Sequence, residues 1–269
     1  MSKTIWITGA SSGIGRALAL GWAAEGHRLI LSGRNMEALE ATAADAKVET
    51  MCLPFEATNE TAMQDAVRQA VDWQDGVDIL VNNAGISQRS RAVNTDMSVY
   101  RQILAVDLEA PIGLTQAILP HMAQRGSGAL VFISSVAGKV GVPMRTAYCA
   151  AKFGLIGYAD ALRAELSQDG ISVHVVAPGS VATDVSRNAL DADGVPRGRS
   201  DTAIENGIPP AEAAQEIIDG VAAGTREIVV ARGPEKDMAE ARRTPDALLD
   251  QVAAMVARGY MDKMEAEDG

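Results

Sequence analysis

Residues 8–15 read Thr8-Gly9-Ala10-Ser11-Ser12-Gly13-Ile14-Gly15 and join two segments of different period. Residues 3–7, Lys3-Thr4-Ile5-Trp6-Ile7, form a short apolar run that reads as a buried strand. Residues 13–25 follow with Ile14, Ala17, Leu18 and Trp22 at helical spacing. A glycine-rich turn between a strand and a helix N-terminus suits an anionic ligand. Gly9 permits the tight turn, Gly13 lets the backbone approach a ligand, and Gly15 lets the helix lie close to the sheet. The helix start then offers free N–H groups and a partial positive charge to a pyrophosphate. The spacing is Gly-x3-Gly-x-Gly, not the Gly-x-Gly-x-x-Gly frequent in dinucleotide folds. A plain tight turn remains possible from the glycines alone; their place in the first strand–helix unit favours a dinucleotide.

The same alternation runs on through the chain. Strand-like runs at 28–32, 48–53, 77–81, 128–134, 172–176 and 227–230 alternate with helical stretches at 35–45, after an Asn59 cap, at 98–124 and at 147–168. The strands are continuously apolar, as burial on both faces requires. The expected fold is α/β: one domain over residues 1–269 with a doubly wound parallel sheet of seven strands and helices on both faces. Residues 184–210 break the pattern with Gly194, Pro196, Gly198, Gly207, Pro209 and Pro210, and read as a long, mobile, lid-like insertion. Residues 235–266 read as a helical extension. Its stripe of Leu248, Val252, Met255, Val256 and Tyr260 suits docking on the body or on a partner subunit. Asp250, Asp262 and Glu265 on its polar face argue against an anionic lipid surface.

Composition narrows the function classes. The 269 residues carry 24 Lys and Arg against 35 Asp and Glu, a net charge of −11, which argues against nucleic acid as a partner. Cys52 and Cys149 match no metal or redox spacing, so no metal is expected. Thr8-Gly9 interrupts the first apolar run before it resembles a leader. No run approaches the ~18 apolar residues of a membrane span. The expectation is a soluble, cytoplasmic protein with neither a membrane nor a nucleic-acid partner.

Two further patterns carry chemistry. The second strand ends Ser32-Gly33-Arg34, without the acid that bonds a ribose 2′-hydroxyl in NAD sites. Arg34 suits a 2′-phosphate instead, with a solvated surface residue as the lesser reading; Arg16 offers a second positive charge but reads equally as a surface residue. Tyr148 and Lys152 lie one helical turn apart, and an ammonium beside a phenol favours the phenolate, useful in acid–base work. Ser135 closes the fifth strand at the edge where open parallel sheets bind ligands, and its hydroxyl suits a substrate carbonyl or alcohol.

Taken together, residues 8–15, Leu80-Val81-Asn82-Asn83-Ala84-Gly85, Ser135, Tyr148-x-x-x-Lys152 and Pro178-Gly179-Ser180-Val181-Ala182-Thr183 resemble the classical short-chain dehydrogenase/reductase family over roughly residues 3 to 232. The resemblance implies a single Rossmann-type domain in which Tyr148 is the acid/base, Lys152 tunes it and bonds the nicotinamide ribose, and Ser135 polarises the carbonyl. It implies a cofactor site of Gly9, Ser11, Ser12, Gly13, Ile14, Gly15, Arg34, Glu56, Ala57, Asn82, Ala84, Gly85, Pro178, Gly179, Val181 and Thr183, with Val181 and Thr183 at the nicotinamide carboxamide. Glu56-Ala57 stands where the family often has Asp-Val. The cofactor expected is NADP(H) rather than NAD(H), and the partner a small carbonyl/alcohol substrate. The family's habit of pairing through its two long helices implies a homodimer or homotetramer.

One departure stands out. Ala105-Val106-Asp107-Leu108 carries Asp107 where the family has a catalytic Asn. Asp107 therefore joins Ser135, Tyr148 and Lys152 as a candidate catalytic residue. It also leaves open a cofactor-binding member with little or no turnover; epimerisation or dehydration with bound cofactor is a further alternative. The loop 85–90 resembles a branch acting on steroid and retinoid carbonyls, and Val142 and Met144 lean toward an apolar substrate. Arg187, Arg197 and Arg199 read as solvated charges on the insertion rather than as contacts to an anionic substrate.

Overall fold

The computed structural model describes residues 2–260. Its elements in chain order are β1 (Thr4–Thr8), α1 (Gly13–Ala24), β2 (Arg28–Ser32), α2 (Met36–Ala46), β3 (Thr50–Cys52), α3 (Glu60–Asp72) and β4 (Ile79–Asn82). There follow α4 (Met97–Leu104), a π-helical turn (Ala105–Glu109), α5 (Ala110–Arg125), β5 (Gly128–Ile133), α6 (Thr146–Glu165), β6 (Ile171–Pro178), α7 (Thr202–Glu205), α8 (Pro210–Ala222), β7 (Glu227–Val230), α9 (Gly233–Ala241) and α10 (Asp246–Ala257).

The strands form one sheet in the order β3-β2-β1-β4-β5-β6-β7, with every pair parallel. Successive side chains on each strand serve opposite faces. Ile5 and Ile7 pack with Leu18, Trp22, Leu39, Ile217 and Ile218 on the α1–α2–α8 side. Trp6 packs on the other side with Met63, Leu114, Ile118, Leu155 and Phe132, under α3, α5 and α6. Both faces are covered, so the strands are apolar throughout. The order reverses at β1, whose neighbours are β2 and β4, and the C-terminal strand ends flanking such a switch point form a crevice.

That crevice is tied together by Thr8. Its hydroxyl donates to Val81 O at 3.2 Å and accepts the N–H groups of Asn83 and Ala84, each at 3.0 Å. Asn83 Nδ2 donates in turn to Thr8 O at 2.8 Å. The ends of β1 and β4 are thus fixed relative to each other before any ligand is considered.

Three elements differ from the sequence-based expectation. Pro209-Pro210 reads as a break, yet Pro210 occupies the first helical position, where its missing N–H costs nothing. It opens α8, which buries Ala213, Ala214, Ile217 and Ile218. The expected continuous helix over 98–124 contains the π-helical turn at Ala105–Glu109. The whole Met97–Arg125 stretch is long and apolar enough to cross a membrane by composition. Here Ile103, Leu114, Ile118 and Met122 instead bury against the rest of the fold. Finally, α10 docks on α6 through Leu249, while Leu248, Val252, Met255 and Tyr260 of the expected docking stripe are exposed. The contact face is rotated by about one residue; residues 261–266 of the expected extension lie outside the described residues.

The 184–210 segment is anchored at both ends. Leu190 N donates to Ser87 O and Leu190 O accepts from Arg89 N, both at 2.8 Å. Further on, Ile208 N donates to Ser180 O and Ala182 N to Ile208 O, each at 2.9 Å.

Candidate active site

Lys152 lies in the first half of α6 with its side chain 5% exposed. A buried ammonium needs acceptors, and two face it. Nζ donates to Ile133 O, at the end of β5, at 3.0 Å. It also lies 3.2 Å from Asp107 Oδ2. The same nitrogen is 5.6 Å from the centre of the Tyr148 ring, one helical turn away.

The π-helical turn brings Asp107 to this point. An inserted π turn rephases the helix locally, and the carboxylate it presents is fully buried. Ile86 N donates to Asp107 Oδ1 at 2.8 Å. Gly85 makes room: a Cβ there would stand 3.0 Å from Asp107 Oδ2 and 3.4 Å from Lys152 Nζ. Burial pushes the Asp107 carboxyl up, against the pull of Lys152 and the Ile86 N–H. For Lys152, burial acts against the ammonium, but Asp107 and Tyr148 outweigh it and raise its pKa. Oδ1 accepts the Ile86 N–H, whereas Oδ2 makes no hydrogen bond and lies in salt-bridge contact with Lys152 Nζ.

Ser135 caps the short turn Val136–Gly138 that follows β5. Its hydroxyl accepts the Ala137 N–H at 3.1 Å and donates to Pro178 O, at the end of β6, at 3.3 Å. That turn presses on α6: a Cβ at Gly138 would stand 2.8 Å from Lys152 O, and Ser134 Oγ donates to Lys152 O at 3.0 Å. Asp107, Ser135, Tyr148 and Lys152 are therefore gathered by the ends of β5 and β6, the π turn and the first half of α6. Gln88, which the sequence did not single out, contributes to this arrangement. Its Oε1 accepts the Ala147 N–H at 3.0 Å and so helps hold the start of α6.

Across the crevice, Gly13 adopts φ 53° and a Cβ there would press on Thr183 Cγ2 at 3.2 Å. The turn and Thr183 thus meet at one end of a groove of about 590 Å³ that runs between α1 and the start of α8, lined by Gly13, Arg16, Leu20, Thr183, Pro210 and Gln215 among others. Ser12 is the residue before α1, and its hydroxyl makes no capping bond. The free helix terminus and the close approach at Gly13 fit a pyrophosphate. Ser11 Oγ lies near Gly33, beside Arg34. The Arg34 side chain is 77% exposed and 3.9 Å from Glu56. Ala57 and Ala84 share a small recess with Thr8, Phe55 and Val106.

Several of the expected contact residues also serve the scaffold. Gly15 is buried, and a Cβ there would collide with Gly9 O and Asn83 Nδ2, so it serves the packing of α1 on the turn. Ile14 packs against the core. Asn82 Nδ2 donates to Thr115 Oγ1 on α5 at 3.1 Å, and its side chain is directed to the sheet's own support. The Val181 side chain is buried in the core, leaving its backbone for a ligand. Arg16 pairs with Asp45 on α2 at 2.5 Å rather than waiting for a phosphate. Arg197 is not solvated: its side chain is 13% exposed and lies 3.0 Å from Asp201. The Pro178–Thr183 segment has a clamp that the sequence conceals. Glu235 of α9 accepts Ser180 N–H at 2.7 Å and Ser180 Oγ–H at 2.8 Å. A separation of 55 positions leaves no local signal.

Comparison with known proteins agrees with this geometry. The family model described as short chain dehydrogenase matches residues 3–194. The Danio rerio protein named dehydrogenase/reductase SDR family member 7B is 37% identical over 98% of this chain and 88% of its own length. An Anopheles gambiae SDR family protein 7-like is 36% identical over 85% of this chain and 75% of its own. Among solved structures, a short-chain dehydrogenase from Streptomyces avermitilis superposes with a TM-score of 0.78 at 26% identity, covering 99% of both chains. A short chain dehydrogenase/reductase from Burkholderia phymatum in complex with NAD shares the fold at a TM-score of 0.77 and 21% identity, covering 85% of this chain and 88% of its own.

The ion pair has a measurable signature. The Asp107 charge favours the Lys152 ammonium and opposes a phenolate at Tyr148. Asp107→Asn removes that charge at nearly constant shape. The variant should stay within ~10-fold of wild-type activity at neutral pH, ~1.4 kcal/mol in the barrier, while the apparent pKa of its pH–rate profile moves down. Superimposable profiles would show that Asp107 is uncharged or uncoupled from the acid/base step.

Proposed function

The chain belongs to the short-chain dehydrogenase/reductase family, and from that premise we propose that it is an NADP(H)-dependent oxidoreductase interconverting a carbonyl and an alcohol on a small substrate with an apolar body. The observation that carries this is the buried Lys152 ammonium, held by Asp107 and Ile133 O one helical turn from Tyr148. Such an arrangement has a clear use: it stabilises negative charge on the phenol oxygen when a proton leaves it.

When bound, the nicotinamide supplies or accepts the hydride, which the side chains themselves cannot do. Gly9, Ser11, Ser12 and Gly13 would hold its pyrophosphate side, Ala57 and Ala84 its adenosine side, and Thr183 with the backbone of Val181 its carboxamide. The protein's own part is to position and to move a proton. In the reducing direction the Ser135 hydroxyl turns its single O–H from Pro178 O to the carbonyl oxygen, and Tyr148 gives that oxygen its proton. Lys152 stabilises the resulting phenolate. In the oxidising direction Tyr148 takes the proton back.

Asp107 in place of Asn does not favour a silent cofactor binder. Its oxygens accept from the Ile86 N–H and face Lys152, contacts compatible with a working acid/base. NADP(H) over NAD(H) is supported by the exposed Arg34 and by Gly33, which offers no carboxylate to a 2′-hydroxyl. Exposed Met97 on α4 and Phe153 on α6 support assembly through the long helices as a homodimer or homotetramer. Two free cysteines suit a reducing compartment such as the cytoplasm.

NADPH should bind at least ~10-fold tighter than NADH, ~1.4 kcal/mol, and Arg34→Ala should remove most of the difference; equal affinities in the wild type would refute the assignment. Tyr148→Phe removes the transferable proton and keeps the ring. Its kcat should fall at least ~10²-fold with cofactor affinity retained, measured on carbonyl substrates by the absorbance of reduced nicotinamide. A variant that keeps most of its turnover would take Tyr148 out of the mechanism.

A further inference from the structure

Three arginines from three separate segments converge on one carboxylate beside the site. Arg89 Nη2 and Arg145 Nη2 each lie 3.2 Å from Asp201 Oδ2, and Arg197 Nη1 lies 3.0 Å from Asp201 Oδ1. The four side chains are between 13% and 28% exposed. Asp201 is held in turn by its own backbone N–H, which donates to Ser186 Oγ at 3.0 Å. Among the described residues none of the three arginines pairs with a second carboxylate.

Three cations and one anion leave two positive charges in a half-buried cluster. A staple for the 184–210 segment needs one arginine, and crowding two more around the same carboxylate is costly without another anion. Burial pulls the Arg89 guanidinium's pKa down, and repulsion from Arg145 adds to the pull. Donor capacity is also left over. Each guanidinium has five N–H donors, and Arg145 Nε and Ser200 Oγ are buried without a hydrogen-bond partner.

The cluster is close to the reacting groups along the chain. Arg145 immediately precedes α6 and stands three residues before Tyr148. Arg89 follows Gln88, which holds the Ala147 N–H. Leu190, bonded through its backbone to Ser87 and Arg89, packs in one apolar cluster with Val99, Ile103, Ala147 and Tyr148. Leu190 therefore links the backbone at Arg89 to the apolar packing around Tyr148.

We propose that Arg89, Arg145 and Arg197 form an anion site that receives a carboxylate or phosphate group carried by the carbonyl substrate, whose apolar body lies between that group and Tyr148. The proposal rests on the oxidoreductase function proposed above and narrows its substrate to an amphiphile with an anionic end. Guanidinium forks suit either oxyanion, since both offer paired oxygens.

The test uses full-length protein saturated with NADPH, a series of oxo-carboxylates of increasing chain length, and their methyl esters. At the optimal length the acid should exceed its ester at least ~10-fold in kcat/KM, ~1.4 kcal/mol, mainly through KM. Arg89→Gln and Arg145→Gln should each cut the acid-to-ester ratio several-fold, Arg89→Lys less so, and Arg199→Gln, an exposed arginine on the same segment, should leave it unchanged. Calorimetric titration of inorganic phosphate and of acetate into the NADPH-bound protein reads the site without turnover and tells the two oxyanions apart. Binding of either that is lost in Arg89→Gln supports the site even if no carbonyl in the series is reduced, an outcome that would count against the oxidoreductase function alone. Acid and ester reduced equally by the wild type with neither oxyanion bound, or a preference that survives in both Gln variants, would overturn the anion site and leave the oxidoreductase function standing.

Discussion

A lysine ammonium removed from water must be compensated inside the protein, at a desolvation cost of several kcal/mol. Lys152 meets this constraint with Ile133 O at 3.0 Å and Asp107 at 3.2 Å. Much of the local architecture follows from that need. The π-helical turn delivers Asp107 between α4 and α5. Gly85 leaves the space into which the carboxylate fits. The turn after β5 lies close enough to α6 for Gly138 to touch the backbone of Lys152. Tyr148 is placed by the same helix, so the group that must lose a proton is set beside a charge that is already compensated.

The sheet makes this economical. Parallel strands bring their C-terminal ends to one edge, and the switch at β1 opens a crevice there. The glycine turn, Ser135 and the Pro178–Thr183 segment leave three different strands and arrive at that edge together. Thr8 and Asn83 bond β1 to β4 from within, and Glu235 holds Ser180 from α9. Charge is handled differently on the two sides of the crevice. The cofactor side relies on helix N–H groups and an exposed arginine, whereas the 184–210 side gathers three arginines on a single aspartate.

The strands were legible because their apolar runs are unbroken, and so were the glycine turn, Ser135 and the Tyr148–Lys152 pair, whose spacing is local. Features built from distant segments were not. Arg197 reads as a solvated charge until Arg89, Arg145 and Asp201 are brought to it. Glu235 gives no sign of Ser180. The π turn leaves no mark, because Ala105 to Glu109 fits an ordinary helix pattern; the identity of Asp107 showed a departure, and only the fold shows that it meets Lys152. Pro209-Pro210 looked like a break because proline ends helices more conspicuously than it starts them. On α10 both Leu248 and Leu249 suit a docking face, and one residue rotates a helix by about 100°; Leu249 is the one that the body buries, and the stripe through Leu248 stays exposed on this chain.

The central claim is that Lys152 is a buried ammonium kept charged by Asp107. Nitrogen NMR of protein labelled at lysine Nζ, with the resonance assigned by its loss in Lys152→Arg, tests it most directly. Lys152 should keep the ammonium shift through neutral pH and titrate above free lysine's ~10.4, and in Asp107→Asn the titration should move to lower pH. A Lys152 resonance that titrates below that of free lysine in the wild type, or at the same pH with and without the carboxylate, would contradict the account.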